Sequence, residues 1–598
     1  MKRKRVRRTG PTITITDSHS PVPVTPDAGA SPGSAGGTNG PVKGTAMATT
    51  TATAVILDGY VDEPACLGVP PYISPYIRTV AGALIDHGFS VRYQTIDQLR
   101  KDPQAAADLN RAGMLVMIAG VTVPGKYLGG TPATLTEIQQ IGHLFRGKKL
   151  VGGPIGFGFA TGGGQKAIRQ VISGFDALLE GEPAIALDNY LNGGEPKGAL
   201  DYSRTDPWSV AGSGIIEQHP DYPYVMCELE TARGCAHGAT GGCSFCTEPF
   251  YGNPQYRSIE GVAAEVAALN GHGARHFRVG RQPDILAYGA GPGEYPAPRP
   301  DLLEKLFSSI RVASPELGTL HIDNTNPATI ARHEEESREA LRAIIRHHTS
   351  GDVAAFGMET ADPAVIAANN LKAQPDEVFR AIEIVNEEGG MRRDNVPELL
   401  PGLNFVTGLA GETEQTYELN EQFLARVLAA GLLVRRVNIR QVMPFEGTPV
   451  YSDNTIGKYE QRFRGFKEYV RDKIDLPMLQ RVFPVGTVLR DVRIEVSGEI
   501  SFGRQMGSYP ILVGIPLRLA ERTVLDVVVV DWGSRSITAL PTPVDINTLS
   551  LSAIRWLPGV GKKRVSALIA KRPFKDLAAY RKVAGSSGID PVLEFSAR

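Results

Sequence analysis

The chain has 598 residues, of which 42% are hydrophobic and 21% charged, and its formal net charge is −1. This length predicts roughly three or four domains, and the composition is ordinary for globular protein. The charge excludes a global attraction to nucleic acid or membrane, although local patches can still bind either. Five cysteines without an even framework argue against a disulfide-stapled secreted protein. No apolar run reaches the roughly 18 residues of a membrane span, so we expect a cytoplasmic protein with no membrane partner.

Residues 1–50 are predicted to be a disordered basic tail. The run Lys2–Arg8 is almost entirely basic, and Pro, Gly, Ser, Thr and Ala dominate the rest of the tail. One interpretation is a nucleic-acid-binding arm. The other, which we favour, is a non-essential tail, or an upstream start codon with Met47 as the true start.

Residues 51–200 are predicted to form a Rossmann-like α/β domain, because apolar runs alternate with helical stretches. The predicted elements are a helix at Ser74–His87, strands at Ala54–Leu57, Val91–Gln94, Met114–Ala119 and Lys149–Val151, and a closing segment at Ala177–Pro183. Their order resembles the cobalamin-binding-like domains, although the lower-axial-ligand motif Asp-x-His-x-x-Gly is absent. The resemblance leaves cobalamin open as a cofactor.

A glycine-rich stretch, Gly152–Gly164, lies within this domain. It has the composition of a phosphate-binding loop, but no Gly-Lys-Ser/Thr sequence comes after it. We therefore do not expect nucleotide binding there.

Three of the five cysteines lie close together, at Cys235, Cys243 and Cys246. Soft thiolates at such spacing converge on one soft metal centre, either an iron–sulfur cluster or zinc. Zinc would need a fourth ligand, for which the nearby candidates are His237 and Cys227. A [4Fe–4S] cluster held by three cysteines leaves one iron open for a cofactor.

Over roughly residues 220–450 the chain resembles the radical S-adenosylmethionine (SAM) enzymes. The aromatic Phe245 lies between the last two cysteines, and several segments similar to those of the family come after it in the correct order. These segments are Val279–Gly289, Phe356–Thr360, Gly408–Thr413 and Pro444–Pro449. The chain departs from the family's usual triad, because seven residues rather than three separate the first two cysteines.

This resemblance implies a partial (β/α)6 barrel of the TIM type over residues 215–455, with a [4Fe–4S] cluster on the three cysteines and SAM beside it. Catalytic groups in such barrels lie at the carboxyl ends of the strands. The predicted strands are Tyr224–Leu229, His276–Val279, Thr319–Ile322, Val353–Gly357, Leu403–Thr407 and Arg436–Val442. The SAM pocket is expected to include Phe245, Gln282 near the methionine part, Glu359 near the ribose, and the turn from Gly408 to Glu412 near the adenine.

The two remaining cysteines carry less information. Methylthiotransferases, one branch of the resembled family, have three cysteines in their N-terminal domain for a second cluster, whereas this domain has only Cys66. Cys227 lies on the strand that leads into the triad, where a buried core thiol is the ordinary interpretation.

Beyond the barrel we predict a helical connector over residues 456–483, with an amphipathic helix at Tyr459–Ile474. Residues 484–543 are rich in strand-like runs and resemble a small β-barrel of the TRAM kind, an RNA-binding accessory in related enzymes. The alternative is a barrel that only covers the active site. The predicted strands are Val488–Val496, Ile511–Ile515 and Val524–Val530.

Residues 544–598 resemble a helix–hairpin–helix. The turn from Gly559 to Gly561 would expose backbone amides at the start of the second helix, where the helix dipole favours phosphate. Lys562 and Lys563 add positive charge. The alternative is a protein-docking hairpin. Radical SAM enzymes joined to such a hairpin form a mainly archaeal group.

The sequence therefore predicts an α/β multidomain radical SAM enzyme that cleaves SAM reductively and modifies a nucleic acid, most plausibly tRNA. The alternative is a cobalamin-dependent methylase of a small molecule. A third class is a binding protein whose cluster is only structural. The expected partners are the nucleic acid and an electron donor such as ferredoxin or flavodoxin.

Overall fold

The computed structural model describes residues 52–63, 66–122, 129–160, 162–169, 172–393 and 395–596. It is a mixed α/β protein built from several units. The disorder predicted for residues 1–50 lies outside the described residues. No helix in the described ranges is long and apolar enough to cross a membrane.

The N-terminal unit is a seven-stranded sheet with helices packed against it, and all its strands are parallel except the two-residue strand Cys66–Leu67, which pairs antiparallel with the first strand. Its parallel strands are β1 (Thr53–Glu63), β2 (Ser90–Thr95), β3 (Met114–Val121), β4 (Lys148–Gly152), β5 (Ala177–Gly181) and β6 (Lys197–Gly198). The spatial order is β2-β1-β3-β4-β5-β6, the order of one common doubly wound fold. The four predicted strands fall on β1 to β4, and β5 lies in the predicted closing segment. Strands β1 and β3 are near-continuous apolar runs because both faces of the sheet are covered.

The helices of this unit are α1 (Pro75–Asp86), α2 (Ile96–Lys101), α3 (Pro103–Leu109), α4 (Leu135–Leu144), α5 (Pro183–Leu191) and α6 (Tyr202–Ala211).

The central unit contains six parallel strands in chain order. They are β7 (Met226–Glu230), β8 (His276–Gly280), β9 (Thr319–Ile322), β10 (Asp352–Glu359), β11 (Leu399–Thr407) and β12 (Arg436–Gln441). A two-residue strand, Asn324–Thr325, continues β9 and pairs with β10. Another, Tyr72–Ile73, comes from the N-terminal unit and pairs in parallel with β7. The six predicted strands are all present, and the extra strand extends the arc with a piece of the preceding unit.

Seven helices connect and cover these strands. They are α7 (Ile259–Gly271), α8 (Pro300–Ala313), α9 (Pro327–Arg332), α10 (Glu334–His347), α11 (Pro363–Ala368), α12 (Pro375–Gly389) and α13 (Glu414–Ala429).

The first two units share one hydrophobic core. A single cluster of buried side chains runs from Ile56 and Tyr76 in the N-terminal unit to Phe277 and Phe356 in the barrel. The fully buried Arg78 of α1 pairs with Glu265 of α7 at 2.6 Å. The chain therefore fixes the N-terminal sheet rigidly against the barrel.

The C-terminal part holds a closed five-stranded barrel in the order β13-β14-β15-β17-β16. These strands are β13 (Val488–Val496), β14 (Ser501–Arg504), β15 (Leu512–Ile515), β16 (Val524–Trp532) and β17 (Ser536–Pro541). The predicted connecting helix is longer than expected and contains a π-helical turn. Its parts are α14 (Glu460–Tyr469), the π turn Val470–Asp475 and α15 (Leu476–Val482).

The last helices are α16 (Leu551–Ile554), α17 (Lys562–Lys571) and α18 (Leu577–Ala584). Their apolar side chains form one cluster with Val528, Val530 and Leu540 of the small barrel. The tail is therefore packed onto this barrel.

Candidate active site

The three clustered cysteines come after β7, at the carboxyl end of the barrel strands. All five cysteines of the chain are free thiols, and Cys235 and Cys243 are buried. Cys243, Phe245 and Cys246 line a cavity of about 220 Å³. Within the described ranges, no three His, Cys, Asp or Glu side chains are arranged to bind a single metal ion. A four-iron cluster needs wider spacing than one ion does, because each cysteine binds a different iron.

The seven residues between the first two cysteines fold into a braced loop. A 3-10 helix at Ala236–Thr240 is followed by two left-handed glycines, Gly241 and Gly242, with φ of 99° and 71°. His237 uses both ring nitrogens, with Nδ1 at 2.6 Å from Glu294 and Nε2 at 2.7 Å from the Asn370 carbonyl oxygen. His237 is therefore a brace rather than a metal ligand.

Cys227 is fully buried within β7 and belongs to the shared core. Because His237 is also occupied, the zinc interpretation lacks both of its candidate fourth ligands.

A second brace joins the cysteine loop to the turn after β11. Asn369 accepts hydrogen bonds from the Ser244 N–H at 2.9 Å and from the Ser244 hydroxyl at 2.7 Å. Its side-chain amide donates to the Ala410 carbonyl at 2.8 Å. Leu409 packs in the same cluster as Cys243 and Phe245. The turn from Gly408 to Glu412, which was predicted to border SAM, thus lies beside the cysteines.

Glu359, at the end of β10, faces the same cavity as Cys243. Its φ is 55°, a left-handed value that is rare for a residue with a side chain and is often found at functional sites. Oxygen Oε2 of Glu359 is buried and has no hydrogen-bond partner. Burial raises the pKa of Glu359 to about 8, despite the opposing charges of Lys372 and Arg440. An orphaned acceptor of this kind fits a ligand that brings hydroxyl donors, as the ribose of SAM does.

Lys372 is a site residue that the sequence did not reveal. It lines the cavity with Cys243 and Cys246. Burial alone would lower the pKa of Lys372, but the three clustered thiols outweigh it and raise that pKa. No motif surrounds Lys372 in the sequence, and only the fold brings its ammonium group to the cysteines.

The other predicted SAM residues are occupied by the protein itself. The Gln282 amide donates to the Val279 carbonyl at 3.0 Å, and Gln282 is buried beside the cavity rather than lining it. Glu412 accepts from the Leu409 N–H at 3.1 Å and from the Tyr417 hydroxyl at 3.2 Å, so its carboxylate shapes the turn. Gly408 has φ of 90°, which the start of this turn requires.

A buried ionic network supports the cysteine loop from the N-terminal unit. Arg281, fully buried after β8, lies 3.0 Å from Glu63 of β1 and 3.3 Å from Glu248. Glu248 accepts the Gly234 N–H at 2.9 Å, and its own N–H points to the Cys246 sulfur at 3.4 Å. The charges are paired, as buried charges must be. The position of the cysteines is therefore tied to the docking of the N-terminal unit.

The glycine-rich stretch contacts the barrel. The Gly164 N–H donates to the Val442 carbonyl and the Ala167 N–H to the Pro444 carbonyl, both at 2.8 Å. These amides are used in docking the two units, which agrees with the expectation that this stretch is not a phosphate loop.

The predicted phosphate site of the tail lies in a different unit from the cysteines. Gly559 has φ of 73°, and Gly561 precedes the first residue of α17. Lys563 is exposed, whereas Arg564 is held by the carbonyl oxygens of Gly559 and Ala584 at 2.8 and 3.1 Å. The turn lies where it was predicted, between the one-turn helix α16 and the longer α17.

Residues 229–424 match the model of the Radical SAM superfamily. The central unit is therefore a radical SAM domain, whose cofactors are SAM and a [4Fe–4S] cluster. An uncharacterized protein of Archaeoglobus fulgidus is 40% identical over 540 residues, which cover 90% of this chain and 98% of the relative. One of Methanocaldococcus jannaschii is 44% identical over 508 residues, with 81% and 92% covered. The chain belongs to the family of these proteins.

Among solved structures, the radical SAM methyltransferase TsrM of Kitasatospora setae, with cobalamin and a [4Fe–4S] cluster bound, is similar in part. The sequence identity is 14% and the TM-score 0.47, with 67% of this chain and 74% of that chain covered. At this level of similarity its ligands say nothing about this chain.

Proposed function

We propose that this protein cleaves SAM reductively at a [4Fe–4S] cluster held by Cys235, Cys243 and Cys246, and uses the product to modify a substrate inside the barrel. The observation that carries the proposal is that two of the free thiols, Cys243 and Cys246, and the orphaned Glu359 carboxyl group line one cavity at the strand ends. Cys235 lines a neighbouring pocket, and Lys372 borders both. The three cysteines would hold the cluster, and the reduced cluster would supply the single electron that the cleavage of SAM requires.

The residues of the site have separable tasks in this proposal. The Lys372 ammonium group neutralises the negative charge that the thiolates bring, and it can bind the carboxylate of SAM. The Glu359 carboxylate accepts the ribose hydroxyls, and Phe245 covers the apolar side of the cavity. The turn beginning at Gly408 closes the pocket beside Leu409. The electron comes from a small donor protein such as ferredoxin or flavodoxin.

Glu359→Gln tests the cofactor pocket. The variant keeps the shape of the side chain but lacks the carboxylate that Glu359 forms above its pKa of about 8, so at a pH above this value SAM affinity should fall by about 10-fold while the iron content stays at the wild-type level. Equilibrium binding of SAM to anaerobically purified protein, with iron analysis of the same sample, measures both. Unchanged SAM affinity would contradict the placement of the ribose.

Nucleic acid, most plausibly tRNA, is one candidate substrate. The specific observation in its favour is the tail, where exposed Lys563 stands at the start of α17 beside the open turn at Gly561. Contacts of this type bind phosphate and do not read bases. A small molecule is the other candidate, and the two cavities at the barrel favour it.

Cobalamin is a candidate second cofactor, because the carboxyl edge of the N-terminal sheet faces the barrel. Thr122, directly after β3, lines the same cavity as Cys243. Ligands of doubly wound sheets bind at this edge. Visible absorption of purified protein after incubation with hydroxocobalamin and gel filtration tests this candidate, and the absence of cobalamin absorption from the protein fraction would exclude it.

A further inference from the structure

A second and larger cavity adjoins the SAM cavity. Its volume is about 770 Å³, within the range of about 300–1,000 Å³ that is usual for small-molecule sites. Its walls come from the end of β1, from β12, from the connector helices and from the small barrel. The two cavities share Arg440, Gln441 and Tyr509, so a molecule in the larger cavity borders the SAM site.

The lining of this cavity is strongly charged, and most of its charges are paired with each other or with neighbours. Asp323 pairs with Arg278. Asp475 lies 3.0 Å from Arg535, and Glu63 lies 3.0 Å from Arg281. These pairs neutralise themselves and leave little attraction for a ligand.

Two arginines of β12 differ from the rest. Arg436 and Arg440 lie four residues apart on the strand and therefore point to the same side, with Asn438 between them. Neither has a carboxylate within ion-pair distance among the residues that the structure describes. Burial lowers the pKa of Arg436 to about 10, and the like charges of Arg440 and Arg535 act in the same direction. Asp323 opposes this shift only in part, so Arg436 keeps its charge at neutral pH without a direct ion pair.

Two carboxyl groups lie near Arg440, namely Glu359 in the SAM cavity and Asp62 of β1, and of these Asp62 lines the larger cavity. It is buried, and its oxygen Oδ2 has no hydrogen-bond partner. Burial raises the pKa of Asp62 to about 8, despite the neighbouring Arg440 and Arg278, so the carboxyl group is mostly neutral at pH 7. Asp62 therefore adds a hydrogen-bonding group to the cavity without cancelling its positive charge.

Tyr509, from the loop between β14 and β15 of the small barrel, fixes one of these arginines. Its hydroxyl donates to Asp323 at 2.5 Å, and its ring lies 4.0 Å from the Arg436 guanidinium. A guanidinium stacked on an aromatic ring keeps its N–H edges available for a planar anion. The small barrel thus contributes a wall and a positioning residue to the cavity.

We propose that the cavity binds an anionic small molecule, whose carboxylate or phosphate groups are held by Arg436 and Arg440 with Asn438 between them. The α-carbons of the two arginines are about 13 Å apart along the strand, so a molecule with two anionic groups fits the pair best. The proposal names the substrate class for the function proposed above. Only the claim that the bound anion is the substrate rests on that function.

The test is calorimetric titration of the full-length protein with two probes, glutarate as a dicarboxylate and inorganic pyrophosphate as a diphosphate. We expect one of the two to bind with a 1:1 stoichiometry and an affinity that falls with salt. In the double variant Arg436→Gln/Arg440→Gln the affinity should fall about 100-fold, because each arginine contributes a charge-assisted hydrogen bond. The matched control is Arg518→Gln, an exposed arginine of the small barrel, which should bind as the wild type does.

The absence of binding for both probes would overturn the proposal, and so would equal binding by the double variant. Loss of tRNA affinity in the double variant, without any effect on the two probes, would assign the arginines to a nucleic acid and also overturn it. Circular dichroism of the double variant confirms that it is folded. Because the titration uses no SAM, a failure of SAM cleavage with intact anion binding would refute the proposed reaction and leave this site standing.

Discussion

At the scale of single residues, the site contains buried polar and charged side chains that would gain partners when the cofactors bind. Two thiols, Cys243 and Cys246, and Lys372 line the SAM cavity, and Glu359 faces it with an unbonded oxygen. A buried group of this kind costs free energy in the empty protein. The binding of the cofactors would remove that cost, which is why these side chains mark the site more clearly than sequence motifs do.

Replacement of any one of Cys235, Cys243 and Cys246 by alanine should remove the cluster and all cleavage of SAM. Each thiol is expected to bind a different iron, so none can substitute for another. Iron analysis, brown absorbance and 5′-deoxyadenosine production measure the effect. The control is Cys227→Ala, a buried core thiol, which should keep its iron. A cluster that survives in one of the three variants would contradict the ligand assignment.

Asp62 should make the stability of the protein depend on pH. Burial raises its pKa from 3.8 to about 8, despite Arg440 and Arg278, while Glu63 and Asp323 act with burial. The folded state therefore binds the proton more tightly than the unfolded state, and this stabilisation, present below about pH 4, is lost as the pH rises towards 8. For this one group the loss is roughly 1.4 kcal/mol per pH unit within the window.

Asp62→Asn removes this titration. Melting curves of the wild type and the variant should diverge between pH 5 and pH 8, with the variant gaining stability relative to the wild type as the pH rises. A difference that stays constant across this range would contradict the buried, unpaired state of Asp62.

The sequence predicted the cysteine ligands because three soft ligands close together are a local pattern. It could not predict that Lys372, Arg436 and Arg440 belong to the cavities, because the role of each depends on residues that are distant in the sequence. The predicted zinc ligand His237 illustrates the same limit, since its two partners, Glu294 and Asn370, come from other loops.

At the scale of elements, the small barrel does more than cover the molecule. Its loop from Gly507 to Tyr509 enters the larger barrel, where the Ser508 N–H donates to His321 at 2.9 Å. The hydroxyl of Tyr72 donates to the Gly507 carbonyl at 2.6 Å. The loop thereby joins three units of the chain. The small barrel is therefore more than a plain cover, and its RNA-binding role stays a prediction.

Tyr509→Phe should lower the melting temperature, because Asp323 then loses a short hydrogen bond in a buried place. The expected cost is about 1–3 kcal/mol. The control is Tyr222→Phe, a partly exposed tyrosine whose loss should cost less. Differential scanning calorimetry compares the two. Equal melting temperatures for Tyr509→Phe and the wild type would show that the loop is not fixed by this contact.

The tail makes a prediction of its own. If the turn at Gly559–Gly561 binds phosphate, the double variant Lys562→Glu/Lys563→Glu should weaken RNA binding for all sequences alike, and wild-type affinity should fall with salt. Filter binding at two salt concentrations measures this. The matched control, Lys571→Glu/Lys575→Glu, makes the same charge change beyond the turn, at exposed positions. RNA affinity equal to that of the wild type would refute a nucleic-acid role for the turn.

Charge reversal is preferable to truncation of the tail. Val528, Val530 and Leu540 of the small barrel share their hydrophobic cluster with the last helices, so removal of these helices would expose the barrel core.

Elements with a strong apolar pattern were predictable. All six barrel strands and the first four strands of the N-terminal unit lie where apolar runs predicted them. Other elements were not predicted, among them Tyr72–Ile73, β14 and β17. Tyr72–Ile73 has two residues and becomes a strand only because β7 offers a free edge. Local sequence carries no signal for such pairing.

At the scale of the whole molecule, the N-terminal sheet and the barrel act as one body. They share a core, and the network of Glu63, Arg281 and Glu248 connects β1 to the cysteine loop. The carboxyl edges of both sheets border the same cavities. The site is thus built by the packing of two units. The order of the predicted domains therefore indicated where the site lies, but not which residues line its cavities.

The most direct test of the central claim is electron paramagnetic resonance of the anaerobically reconstituted full-length protein, reduced with dithionite, without and with SAM. Iron and sulfide analysis of the same sample should give roughly four irons and four sulfides per chain. We predict that the resonance signal of the reduced cluster changes when SAM is added, because three cysteines leave one iron open to SAM. Zinc in place of iron, or an iron signal that SAM does not change, would contradict the account.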